Sequence, residues 1–260
     1  MSRWRRFLRR VGRRSRAASA TGRDHGFWRP GELDRVVVLS PHLDDAVLSV
    51  GDVLAVAPVA TVVTVFAGSP EAYPDPPSAW SLRCGFGPGD DIGALRRAED
   101  EHALHRLGAD PVHLAYVEHD YRTGPFDEAI PDGMVDALAT AVRAAAPTVV
   151  LLPCGLDRPE HRIVAAAALS LRAVLDGPTW VAYAELPYLC LPGVLPTRLA
   201  ELVADGVVLE PLTPTSDPLA RARKIEALEA YRSQVGPLDD WWSVRRRVRE
   251  TPESLWRITT

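Results

Sequence analysis

The stretch Arg35-Val36-Val37-Val38-Leu39-Ser40-Pro41-His42-Leu43-Asp44-Asp45 decides the fold. Residues 35–40 form a short, nearly continuous β-branched run, the pattern of a strand covered on both faces. Residues 44–56 then carry apolar side chains at helical spacing, so a helix follows the strand at once. A buried strand feeding directly into a helix is the opening half of a βαβ unit. One imidazole and two carboxylates stand at the junction.

The alternation continues outward from this unit. Residues 61–67 read as a second buried strand, ended by Gly68-Ser69-Pro70. Residues 70–91 are rich in Pro and Gly and hold Tyr73, Trp80 and Phe86. Long loops of this kind often act as lids, and this one is expected to cover a ligand. Residues 92–107 read as an amphipathic helix closed by Gly108. Further strands are expected at 112–116, 148–153, 179–184 and 207–212, and further helices at 131–146, 160–175 and 219–234. Strands alternating with helices predict an α/β fold: a Rossmann-like, doubly wound, mostly parallel sheet with helices on both faces. Ligands of such sheets bind beyond the C-terminal ends of the strands.

Composition bounds the rest. The chain has 260 residues, 47% hydrophobic and 25% charged, ordinary for a globular protein. Residues 1–29 hold ten Arg against one acidic residue, Asp24, so the net charge of −4 conceals an acidic body. An acidic body argues against nucleic acid as a partner. The expected organisation is a basic, flexible extension over 1–29 and a single domain over 30–260. Within the extension, Trp4, Phe7, Leu8 and Val11 fall at helical spacing among arginines, which would suit weak contact with an anionic membrane surface. No apolar run is long enough to span a membrane, and no secretory core is visible at the N-terminus, so a cytoplasmic protein is expected. Cys84, Cys154 and Cys190 are far apart and form no CxxC pair, which argues against a disulfide framework or a cysteine zinc site.

The chemistry concentrates at strand ends. His42, Asp44 and Asp45 follow the first strand. A histidine and a carboxylate suit zinc, and a catalytic zinc needs three protein ligands and one open position. The spare carboxylate can then serve as general base. A third ligand should come from another βα loop. The strand at 148–153 is followed by Cys154-Gly155-Leu156-Asp157-Arg158-Pro159-Glu160-His161-Arg162, which places His161 at the start of a helix. On spacing alone the alternatives stay open: Asp44 or Asp45 as an N-cap, and His161 as a capping or surface histidine.

Pro41-His42-Leu43-Asp44-Asp45-Ala46-Val47-Leu48-Ser49, with Gly51, resembles the first motif of the PIG-L/LmbE-like N-deacetylases, usually H-P-D-D-E. Leu95-Arg96-Arg97-Ala98-Glu99-Asp100, with Ala103-Leu104 and Leu107-Gly108, resembles the family's second helix, which contains R-x-x-E and ends in L-G. Pro153, Gly155, His161 and Arg162 are similar to its P-x-G…H-x-D-H-R region, and Lys224-Ile225, Ala230 and Arg232-Ser233-Gln234 to its C-terminal K…H-x-S-Q helix. The resemblance spans roughly 34–236 in the right order.

It implies that His42, Asp45 and His161 bind zinc and that Asp44 is the general base. It also implies hydrolysis of an N-acyl group, often one linked to an N-acetylglucosamine unit, in a natural-product or glycoconjugate intermediate. The chain departs from the family where Arg158 stands in place of the first histidine of H-x-D-H-R, and Glu160 in place of its aspartate. An arginine stays charged and cannot donate a proton near neutral pH. It can still stabilise an oxyanion, and that role is expected of Arg158 or Arg162; the equal alternative is a salt bridge to Asp157 or Glu160. Glu160 is expected to orient a histidine ligand. Trp80, Glu185, Tyr188 and Arg96 are the expected substrate-facing residues, although Arg96 or Arg97 with Glu99 is expected to support the site loops from a helix, as a buried pair or network, rather than to touch substrate. Three rivals stand beside this reading. A nucleotide-binding protein lacks its G-x-G-x-x-G turn here. The others are a metal-lacking binding relative and an amidase cleaving a larger conjugate.

Overall fold

The computed structural model describes residues 26–122 and 126–259. The helical spacing noted over Trp4–Val11, and the membrane contact inferred from it, lie outside the described residues. Residues 26–29 already belong to the packed body: the Gly26 carbonyl accepts from Thr213 N at 2.6 Å, and Trp28 packs on the core.

Among the described residues, β1 (Arg35–Ser40), β2 (Val59–Thr64), β3 (Ala109–His113), β4 (Val149–Pro153), β5 (Thr179–Tyr183), β6 (Val208–Leu212) and β7 (Leu255–Thr259) form one sheet in the order β3-β2-β1-β4-β5-β7-β6. β1 to β5 pair in parallel, and β7 runs antiparallel between β5 and β6. The helices are α1 (Asp45–Val56), α2 (Ala79–Arg83), α3 (Ile92–Leu107), α4 (Met134–Ala145), α5 (Pro159–Arg172), α6 (Val194–Ala204), α7 (Pro218–Leu228), α8 (Arg232–Trp242) and α9 (Val244–Glu250). The period-2 alternation of strand side chains builds two cores. Val36 and Val38 pack with Leu48, Leu104 and Leu228 of α1, α3 and α7. Val37 and Leu39 pack with Leu138 and Val164 of α4 and α5. The doubly wound α/β sheet expected from the sequence is therefore present.

The differences have physical causes. Residues 70–91 contain the short helix α2, whose N-cap Ser78 accepts from Ser81 N at 3.1 Å. The helix expected over 219–234 is two helices, α7 and α8. Gly236-Pro237 reads as a stop, yet Pro237 lies inside α8, which runs on to Trp242. β7 escapes sequence pattern because Arg257 sits in mid-strand, where Glu32 neutralises it at 2.7 Å.

One buried contact docks the C-terminal helices against α1. Lys224, the chain's only lysine, is 2% exposed, and its Nζ donates to Glu253 Oε1 at 2.8 Å. Glu253 also accepts from Asp52 N at 2.7 Å and Val53 N at 3.3 Å in α1. A Cβ at Gly51 would lie 2.6 Å from Lys224 Cγ, which is why glycine stands there. Breaking a buried pair from one side strands the remaining charge. Lys224→Met should therefore lower unfolding stability by about 3–5 kcal/mol, and adding Glu253→Gln should recover a large part, as read by chemical denaturation. A loss no larger in Lys224→Met than in an exposed control would remove this contact from the account.

Candidate metal centre

Sheet order reverses between β1 and β4, and the crevice beyond their C-terminal ends is where a doubly wound sheet offers a ligand site. β1 delivers His42 and Asp45; β4 delivers His161 in the first turn of α5. The two strands are direct parallel neighbours, so the two loops meet. Ser40 ties the first loop down: its Oγ donates to the His42 carbonyl at 2.8 Å and accepts from Ala46 N at 3.1 Å.

Three atoms converge. Asp45 Oδ2 lies 3.2 Å from His42 Nδ1 and 3.1 Å from His161 Nε2, and the two imidazole nitrogens are 3.2 Å apart. Zinc bonded at about 2.0–2.1 Å in tetrahedral geometry requires ligand atoms about 3.3 Å apart. The spacing of the three atoms would suit a zinc ion held by His42, Asp45 and His161, two of which, His42 and Asp45, line the pocket. All three residues are buried.

The far side of each imidazole is held by a carboxylate. Glu160 Oε2 lies 2.8 Å from His42 Nε2, and Glu160 Oε1 accepts from His119 N at 2.7 Å. Glu185 Oε1 lies 3.2 Å from His161 Nδ1 and accepts from Gly155 N and Leu156 N at 2.8 and 2.9 Å. Such partners fix tautomer and ring orientation and raise ligand basicity. The charges agree. Burial opposes a charged His161, yet Asp45 and Glu185 raise it to about 9. Burial likewise opposes charge on His42, but Glu160 and Asp45 push it well up. Burial would raise Asp45, but the imidazoles hold it well below the usual carboxylate range. Glu160, against its burial, is lowered by His42 to about 2. The carboxylates thus favour positive charge within the triangle.

Asp44 is set apart from the ligands. It precedes α1, but its side chain makes no capping bond, so the N-cap alternative does not hold. Its backbone sits at φ 139°, ψ −32°, outside the regions open to residues with a side chain. Strain of about 1–3 kcal/mol is retained where the surroundings enforce it, often at functional sites. Burial, then the Asp45 charge, push its carboxyl well above the usual range, with Arg96 and His42 opposing.

The pocket that reaches His42 and Asp45 is lined by the polar side chains of Asp44, Arg96, Glu118, Asp120 and Arg158 and by the apolar ones of Trp80, Tyr188, Leu238, Trp241 and Trp242, among others. Of the residues singled out in the sequence, Arg96, Trp80, Tyr188 and Arg158 line this pocket. Glu185 does not: it is fully buried behind His161 and reaches no substrate space. Arg96 pairs with Glu118 at 2.5 Å and Tyr121 Oη at 2.8 Å rather than with Glu99. Arg97 donates to the Ala67 carbonyl, and Glu99 accepts from Ser233. Phe86 packs with Ile92 and Tyr121, away from the pocket. Arg162 bonds Glu201 at 2.9 Å on the outer surface, so of Arg158 and Arg162 it is Arg158 that lines the pocket. Among the described residues Arg158 makes no ion pair with Asp157 or Glu160 within 4.0 Å. Glu118 and Asp120 were missed in the sequence, although acidic residues just past a strand end are a usable signal. No described helix is long and apolar enough to cross a membrane.

A family profile described as PIG-L, GlcNAc-PI de-N-acetylase, matches residues 37–171. The A40926 pseudoaglycone deacetylase superposes at TM-score 0.71 and 29% identity, covering 87% of this chain and 97% of that one. The zinc-inhibited form of teicoplanin deacetylase gives 0.70 and 25%, covering 86% and 98%. N,N'-diacetylchitobiose deacetylase from Pyrococcus horikoshii shares the fold at 0.54 and 16%, covering 100% and 94%. No curated protein sequence matches the chain.

Two substitutions test the centre. His161→Ala should abolish stoichiometric metal binding, and Glu160→Gln should weaken it about 10–100-fold, measured by competition with a chelator. Wild-type affinity in both variants would dissolve the site.

Proposed function

The chain belongs to the PIG-L family of de-N-acetylases, and from that premise we propose that it is a zinc-dependent hydrolase removing an N-acetyl or other N-acyl group from an amino-sugar-containing small molecule, a natural-product or glycoconjugate intermediate. The convergence of His42, Asp45 and His161, with His42 and Asp45 lining the pocket, carries this reading. The likeness in fold and length to deacetylases of A40926 pseudoaglycone and teicoplanin supports the substrate class.

A zinc ion held by the triangle supplies Lewis acidity towards the amide carbonyl and towards an attacking water. Asp44 accepts the proton of that water as it attacks the carbonyl carbon. Burial and the neighbouring Asp45 charge hold this carboxyl well above the usual carboxylate range, which makes it a stronger proton acceptor than an ordinary aspartate. The developing oxyanion faces Arg158, whose permanent charge stabilises it without proton transfer. As the C–N bond breaks, Asp44 returns the proton to the leaving amine. Arg96, fixed by Glu118 and Tyr121, holds the polar wall and opposes the accumulated carboxylate charge.

Asp44→Asn should lower kcat by about 10²–10⁴-fold while metal content stays at wild type; near-normal turnover would remove Asp44 from the mechanism. Arg158→Ala should cost about 10²–10³-fold in kcat, with partial recovery in Arg158→Lys. Acetate release from a panel of N-acetyl amino sugars, cyclitol glycosides and glycopeptides, after chelation and return of one equivalent of zinc, reads both variants. Release of a larger acid instead of acetate would reassign the acyl group that is removed.

A further inference from the structure

Tyr188, five residues past the end of β5, carries a hydroxyl that the fold does not use. The hydroxyls of Tyr73, Tyr121, Tyr183 and Tyr231 are engaged, in turn, by Asp91, Arg96, the Leu39 carbonyl and Asp100. A tyrosine hydroxyl taken out of bulk water usually finds a partner in this way. That of Tyr188 makes no hydrogen bond among the described residues, and it is not one of the buried polar atoms left unpaired. Tyr188 lines the pocket, so the open side of its hydroxyl is there. The ring itself is held in place. It meets His161 edge-on at 5.2 Å and Trp242 at 6.1 Å. Its backbone belongs to the same frame as the metal centre: Leu189 N donates to the Glu185 carbonyl at 2.9 Å, and Glu185 Oε1 lies 3.2 Å from His161 Nδ1. Burial, then Asp45, raise the phenol above its ordinary value, with Arg158 opposing and Asp44 adding to the rise. The hydroxyl thus keeps its proton, and it lies in reach of the charges of Asp45, Arg158 and Asp44.

We infer that the Tyr188 hydroxyl is a second hydrogen-bond donor to the oxyanion, beside Arg158, in the amide hydrolysis proposed above. This rests on the deacetylase reading and adds a residue to its machinery. In that reaction Asp45 is a metal ligand, Asp44 takes the proton of the attacking water and Arg158 faces the oxyanion. The charges that reach the Tyr188 hydroxyl are therefore those grouped around the reacting carbonyl. A neutral O–H suits a place where carboxylates already crowd, because it donates without bringing a charge of its own. Arg158 attracts the oxyanion by charge; the phenol adds a donor fixed in position by its ring contacts, so little reorganisation accompanies the reaction. As water attacks, the carbonyl π pair moves onto oxygen and the hydrogen bond from Tyr188 tightens. As the pair returns and the C–N bond breaks, the hydrogen bond relaxes. No proton leaves Tyr188; the proton of the water passes through Asp44 to the leaving amine. A hydrogen bond to a sugar hydroxyl would instead be made equally in the ground and transition states, and kinetics separates the two.

The test is Tyr188→Phe, which keeps both ring contacts and removes only the hydroxyl. Zinc-loaded wild-type and variant chains are assayed by acid release from an N-acetyl amino sugar of the panel above and from its N-trifluoroacetyl counterpart, with bound zinc measured alongside. On the acetyl substrate kcat should fall about 10²-fold while KM and zinc content stay at wild type. On the trifluoroacetyl substrate the loss should be smaller, because an electron-poor carbonyl gives a less basic oxyanion that asks less of a donor. Near-normal kcat, a loss confined to KM, zinc lost together with the hydroxyl, or an equal loss on both substrates would each overturn this role for Tyr188 and leave the deacetylase reading standing. Acid released by the wild type from none of the panel would overturn that reading and the role of Tyr188 with it.

Discussion

The parallel pairing of β1 with β4 is the constraint on which everything else rests. Val36, Val37 and Val38 register against Val149, Val150 and Leu151, and that register sets the separation of the loops that follow. Both strands are closed to water by helices on both faces, and their β-branched and leucine side chains are what such strands require. A one-residue slip would invert the faces and move His161 away from His42. The site is thus a consequence of sheet order, and the hydrophobic core specifies it as firmly as its polar residues do.

Convergence of charge is costly unless each group is answered. Two imidazoles and Asp45 lie within 3.2 Å of one another in a buried site. Glu160 and Glu185 answer the imidazoles from behind, and backbone N–H groups of His119, Gly155 and Leu156 answer those carboxylates in turn. Asp44, by contrast, makes no capping bond with its side chain and sits in a backbone conformation ill suited to a side chain. A residue that serves structure would be relieved of both burdens. One that must receive and release a proton needs a lone pair free towards substrate.

Much of this was legible in the sequence, and what was not has physical reasons. The β-branched run at 35–40 and the helix directly after it identify the βαβ unit, and its junction holds two of the three candidate ligands, His42 and Asp45, together with Asp44. The ordered matches from Pro41 to Gln234 point to His161, although nothing local distinguishes it from a capping histidine. Glu185 was misassigned because position past a strand end says that a residue is near the site but not which way it faces. Trp241 and Trp242 were hidden by Gly236-Pro237, a local stop signal that tertiary packing overrides. Arg257 hid β7 in the same way, since its buried partner Glu32 is 225 residues distant.

The fold alone would not name the chemistry, because doubly wound sheets host many reactions; the ligand set does. X-ray absorption at the zinc edge of the metal-loaded full chain tests that set directly. The account predicts a shell of nitrogen and oxygen alone at about 2.0–2.1 Å, with the multiple-scattering signature of two imidazoles. A sulfur scatterer near about 2.3 Å, or a shell with fewer than two imidazoles, would contradict it.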